Sequence, residues 1–169
     1  MPDALRLRVV EVTDGDTIKA QAQNGDTVTV RVWGIDAPES SQPYGPAATD
    51  VARQLVGGEV ADIEIVDEDR YGRFIGRVRT GGTDLAASLA LSGYAWHSRR
   101  YQTSQQIKNA EQTARREERG LWSQDNPVPP WEYRGRAPAP TERTELTAGT
   151  VVFIVIVVAI LVLISLAGG

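Results

Sequence analysis

The chain has 169 residues, a formal net charge of −4 and a sequence pI near 5.1. That acidic balance excludes a global positive field as the means of holding a polyanion, so phosphate contacts fall to locally placed arginines. The absence of cysteine excludes disulfides and thiolate metal sites, and leaves oxygen donors or the single histidine for any metal.

Residues 5–12 alternate Leu5, Leu7 and Val9 with Arg6 and Arg8, the pattern of a first strand. Thr13-Asp14-Gly15-Asp16-Thr17 is turn chemistry, with Asp14 serving the turn, and residues 18–22 continue as a second strand. Asn24-Gly25-Asp26 is a hairpin signal because Asn and Gly tolerate positive φ, so residues 27–33 form the third strand of an antiparallel meander. At or just past the end of that strand, after Gly34, three ionisable groups crowd together: Arg31, Asp36 and Glu39. Ala37-Pro38 stiffens the backbone between the two carboxylates. A guanidinium suits a phosphate, and carboxylates suit a hard cation or an attacking water.

Residues 40–45 read as a loop, and Pro46 opens a helix that runs to about residue 56 on an apolar face of Ala47, Val51, Ala52 and Leu55. Gly57-Gly58 ends it, and residues 60–66 form a strand with Ile63 and Ile65 inward. A charged turn from Asp67 to Arg73 leads into a strand at 74–78, then a short helix at 84–91 and an extended piece, Tyr94-Ala95-Trp96-His97. A third helix covers residues 104–118, with Ile107, Ala110, Glu111 and Ala114 on one face and Glu111 paired with Arg115. Leu121-Trp122 then folds back onto the core. The predicted fold is mainly β with α: a five-stranded OB-type barrel with three helices, over residues 1–123.

From residue 124 to 147 the composition shifts to Pro, Arg, Thr and Glu, which predicts an extended linker. Residues 148–167 carry no charge and match the ~20 residues a helix needs to span a bilayer core of about 30 Å. They predict a single C-terminal transmembrane helix, with the membrane as a partner. The N-terminus shows no signal segment, and Arg134, Arg136 and Arg143 precede the apolar run, so the positive-inside rule places the domain on the cytoplasmic face. An upstream signal peptide would instead make it extracytoplasmic.

Seven motifs follow one another in the first 123 residues: D-G-D-T at the first turn, V-R-V-W-G-I-D-A-P-E from Val30, Tyr44-Gly45-Pro46, D-R-Y-G-R, G-Y-A-W, A-E-Q-T-A-R and G-L-W. This order and spacing resembles the staphylococcal nuclease (thermonuclease) family over residues 5–123. The resemblance implies an OB barrel with three helices and calcium-dependent hydrolysis of single-stranded or unwound DNA and of RNA, leaving 3′-phosphate ends. It implies Asp16 and Asp36 as carboxylate ligands of Ca2+ and the carbonyl of Ala37 as a third. Glu39 matches the residue that orients or deprotonates the attacking water, and Arg31 and Arg73 match the phosphate-binding arginines.

The chemistry fits those residue types. Calcium prefers oxygen, and its charge offsets that of phosphate and hydroxide. Arginines fork onto the equatorial oxygens of a five-coordinate transition state, and because an arginine side chain is a reluctant proton donor, Arg73 is expected to hydrogen-bond the leaving oxygen rather than protonate it.

Some positions depart from the family pattern. Alanine stands at 37 where the family often has threonine, which a carbonyl ligand tolerates, and the loop at 40–43 is short. Two nucleotide-flanking tyrosines of the family align with Arg99 and Tyr101, so Tyr101 is expected to stack a base while Arg99 supplies charge and cation–π contact. Tyr71 either packs on the barrel or lines the site. His97 is expected at the barrel edge and not as a ligand, and Trp33 and Trp96 in the core. The soluble domain is expected to be monomeric. A competing reading is an inactive barrel that binds nucleic acid or protein at the membrane; the joint presence of Asp16, Arg31, Asp36, Glu39 and Arg73 favours the enzyme.

Overall fold

A computed structural model describes residues 4–98, 100 and 104–136. Alternation of apolar side chains builds its first strand, β1 (Leu5–Asp14), which buries Leu7, Val9 and Val12. Val9 and Val12 are three apart, yet both face inward because the pairing with β2 (Thr17–Gln21) slips between Val9 and Glu11. Such a bulge resets the period-two pattern and tightens the strand's curl. β3 (Thr27–Val32) follows a hairpin in which Gly25 has φ 93° and the Asn24 side chain accepts from the Asp26 N–H at 3.1 Å.

β5 (Val60–Glu68) pairs antiparallel with β1, and β6 (Phe74–Thr80) pairs antiparallel with β5. β6 then runs parallel to β3, with Arg31 opposite Ile75, and closes the ring. The result is the five-stranded OB-type barrel the sequence predicts. Ile18, Val30, Val32, Ile63 and Val78 fill its interior, each at most 1% exposed; full burial of such a side chain is worth roughly 1.5–3 kcal/mol. Two short strands were not expected: β4 (Ile35–Asp36), which pairs with β8 (Trp96–His97), and β7 (Thr83–Asp84) on the free edge of β6.

The three expected helices are α1 (Gly45–Val56), α2 (Leu85–Leu91) and α3 (Gln105–Arg116). Asp84 caps α2 through the Ala87 N–H, and Ser104 caps α3 through the Ile107 N–H. The buried stripe of α1 is Ala48, Ala52 and Val56, slightly rotated from the expected face, so that Ala47 is only half-buried. Trp96 is in the core as expected. Trp33 is not: it is half-buried on the barrel, with the Arg77 guanidinium 4.4 Å from its ring centroid.

The expected linker departs from expectation at its start, because residues 130–136 form a further helix, α4 (Pro130–Arg136), that belongs to the same compact unit as the barrel. Tertiary contacts override the proline-rich composition. Trp131 meets Trp96 edge-on at 6.4 Å, the Tyr133 hydroxyl donates to the Ser41 carbonyl at 3.0 Å, and the Gln42 side-chain amide donates to the Val128 carbonyl. Among the described residues no helix is long and apolar enough to cross a membrane. The predicted span at 148–167 lies outside them.

Candidate active site

The turn between β1 and β2 sets the first carboxylate. Asp14 accepts from the Asp16 N–H at 3.0 Å, the turn role expected of it. Gly15 packs so closely that a Cβ there would lie 2.8 Å from the Ala37 Cβ and 2.9 Å from that of Ala48. This approach brings Asp16 under the segment that follows β4, where its Oδ2 accepts from the Ala37 N–H at 2.8 Å. Gly45 does similar service at the start of α1: a Cβ would fall 1.9 Å from the Glu39 carbonyl oxygen, so only glycine lets the helix begin there.

Arg31 projects from β3 between two carboxylates. Its Nη1 donates to Asp16 Oδ1 and its Nη2 to Asp36 Oδ1, both at 2.7 Å. The Asp16 and Asp36 side chains are only 4% and 10% exposed, so this is a largely desolvated fork. Burial pushes the Asp16 carboxyl up to about 7; Arg31 opposes the shift, while Asp14 adds to it. Burial works against the charge of Arg31 too, but Asp16 and Asp36 outweigh it and raise its pKa. One guanidinium thus holds two nearly buried carboxyl groups.

These groups line an open cleft of about 930 Å³. Residues of the turn between β5 and β6 line the same cleft. There Asp69 accepts from the Tyr71 and Arg73 backbone N–H groups at 2.9 and 3.1 Å and pairs with the Arg73 guanidinium at 2.7 Å. Against a burial effect of opposite sign, these donors hold the Asp69 carboxyl below its usual range. Tyr71 lines the cleft instead of packing on the barrel, and it is 69% exposed.

The structure therefore brings Asp16, Arg31, Asp36, Ala37, Glu39, Tyr71 and Arg73 to one cleft. Arg99 and Tyr101 lie outside the described residues, although Arg100 between them lines the cleft. His97 sits in β8 beside β4, with its Nε2 buried and unpartnered. Sequence reasoning missed two residues. Gln42 is buried, accepts from the Glu39 N–H at 3.2 Å and ties that loop to residue 128. Arg134, from α4, reaches Glu39 Oε1 at 2.6 Å and Asp36 Oδ2 at 3.0 Å. In the sequence it is one of three arginines, with Arg136 and Arg143, in a proline-rich stretch, and nothing local sets it apart.

The fold and cleft define an OB-barrel domain with carboxylates and arginines gathered at one end. The profile described as Staphylococcal nuclease homologue matches residues 29–124, and the chain belongs to that family. It is similar to an uncharacterized endonuclease of Escherichia coli, 39% identical over 130 residues that cover 76% of this chain and 84% of that protein. A staphylococcal-like nuclease of Arabidopsis thaliana is 37% identical over 105 residues, 62% of this chain and 32% of that protein. An uncharacterized 38.1 kDa protein of Capnoides sempervirens is 35% identical over 136 residues, 78% of this chain and 40% of that protein.

Proposed function

We propose that this chain is a calcium-dependent nuclease that hydrolyses phosphodiester bonds of single-stranded or unwound DNA and of RNA, leaving 3′-phosphate ends, and that residues 148–167 tether it to a membrane. Family membership supports a nuclease; the observation that carries the mechanism is the Arg31 fork between Asp16 and Asp36, in one cleft with Glu39 and Arg73. The tether rests on the uncharged run alone.

The donor set fits a hard cation. Two nearly buried carboxylates, Asp16 and Asp36, lie together at the cleft beside the Ala37 backbone, an oxygen-donor set of the kind a hard cation takes. Among the described residues no three His, Cys, Asp or Glu side chains group around one point, so Asp16 and Asp36 would hold calcium with the Ala37 carbonyl and water. When bound, the ion supplies charge that offsets phosphate and the attacking hydroxide. Glu39, at the cleft mouth with 38% of its side chain exposed, orients the attacking water or takes its proton. Arg31 and Arg73 donate to phosphate oxygens as charge builds, and the bond to the 5′ oxygen breaks so that phosphate stays on the 3′ side.

Hydrolysis of single-stranded DNA by the full chain, with calcium and with chelator, tests this reading beside Glu39→Gln. Cleavage should require calcium and fall about 10²–10³-fold in the variant. A folded, calcium-replete protein that binds DNA without cutting it would turn the assignment to a binding barrel.

A further inference from the structure

The contacts of Arg134 fall on groups that the proposed chemistry needs free. Its Nη2 lies 3.0 Å from Asp36 Oδ2 and its Nη1 lies 2.6 Å from Glu39 Oε1 and 3.4 Å from Asp36 Oδ1. Both oxygens of Asp36 are thereby engaged, Oδ1 by Arg31 and Oδ2 by Arg134. A Glu39 oxygen held in a charge-assisted bond is a poor acceptor for a water proton. A guanidinium and a divalent cation also repel each other across a shared carboxylate.

We infer that α4 is a latch in which Arg134 competes with the divalent cation for Asp36 and the water-activating Glu39, so that the segment withdraws when the cleft is loaded. The inference rests on the nuclease reading above. The build of the segment suits release. Its helix is seven residues long, too short to persist alone. It is fastened by the edge of Trp131 on Trp96, by the Tyr133 hydroxyl on Ser41 and by Gln42 on the Val128 carbonyl. The Arg134 side chain is 47% exposed, which leaves water a ready substitute for its two partners. Through Gln42, which also holds the Glu39 N–H, the strap fastens to the loop beside the group it covers.

A latch lowers apparent calcium affinity by the fraction of time the site is open; a chain open about a tenth of the time binds about tenfold more weakly. Calcium binding to the full chain by calorimetry is the test, with Arg134→Ala beside Arg100→Ala. Arg100 lines the same cleft and enters no ion pair among the described residues, so its variant reports the loss of one positive charge. Arg134→Ala should tighten calcium binding about tenfold and Arg100→Ala less than threefold. In the wild-type chain, amide hydrogen exchange over residues 130–136 should rise when calcium is added, a readout that needs no variant.

Equal tightening in the two variants would reduce the effect to net charge and overturn the latch. So would unchanged or weaker binding in Arg134→Ala, or calcium binding that leaves exchange over residues 130–136 unaltered. A wild-type chain and Arg134→Ala that both neither bind calcium nor cut DNA would overturn the underlying nuclease reading instead.

Discussion

Two groups of residues line the cleft, and they are built on different plans. Asp16 in the β1–β2 turn, Arg31 in β3 and Asp36 in β4 have side chains 4%, 22% and 10% exposed, and each is bonded to another of the three or to fixed backbone. The turn between β5 and β6 instead organises Tyr71 and Arg73 around a single aspartate, Asp69, and leaves Tyr71 in solvent. A site that must hold a bare charge profits from rigid, desolvated donors, since fixed dipoles and charges act more strongly there. A site that must meet a variable polymer profits from side chains free to adjust. The barrel end is thus expected to couple chemistry to stability, and the turn to carry chemistry with little effect on the fold.

Arg31→Ala should show the largest coupling. It leaves the nearly buried Asp16 without its guanidinium and Asp36 with Arg134 alone, and breaking such a set costs about 3 kcal/mol or more. Urea unfolding near pH 8 should register that loss, and a smaller one near pH 5, because Asp16, with a pKa raised to about 7, takes up a proton there. A variant as stable as wild type at both pH values would remove the distinction between the two groups.

Asp16→Asn should move stability the other way. The Asp16 carboxyl goes from 3.8 to about 7 on folding, so the folded state holds the extra proton between those values and stability from this group is lost as pH rises through them. Asparagine does not titrate. The variant's melting temperature relative to wild type should climb from about pH 4 to about pH 7 and then level off. A difference that does not change with pH would mean that Asp16 titrates normally.

Arg73→Ala removes one partner of a half-buried ion pair, but the Tyr71 and Arg73 backbone N–H groups still serve Asp69, so it should cost less than Arg31→Ala, while cleavage falls about 10²–10³-fold for the loss of one phosphate donor. Destabilisation on the scale of Arg31→Ala would show that the turn, too, is part of the structural frame.

The same division explains what the sequence disclosed. The barrel end was legible because its strands alternate and its turns carry Asp14-Gly15-Asp16 and Asp36-Ala37-Pro38-Glu39, features that local sterics dictate. The three main helices were legible from apolar periodicity and their Gly or Pro boundaries. α4 was not, since proline and Gly135 argue against a helix and only the docking of Trp131 and Tyr133 forms one. Gln42 offered no signal because its role depends on a carbonyl 86 residues away. The β4–β8 pair is too short for any period to show.

Tyr71 gives the smallest effect on the fold and the clearest view of the adaptable group. Its ring lies under two guanidiniums, Arg70 at 4.8 Å and Arg73 at 5.7 Å, and its hydroxyl accepts from Arg70 at 2.6 Å. No core residue depends on it, so Tyr71→Ala should leave the urea midpoint unchanged, within about 0.5 kcal/mol. If the ring instead offers a face to an unstacked base, at about 1–3 kcal/mol per stacked base, its loss should raise KM for single-stranded DNA about tenfold and leave kcat within about twofold. Tyr71→Phe keeps the face and should keep the KM. A fall in kcat in Tyr71→Ala would instead tie the ring to the placement of Arg73, making the tyrosine a support for a phosphate donor and not a platform for bases.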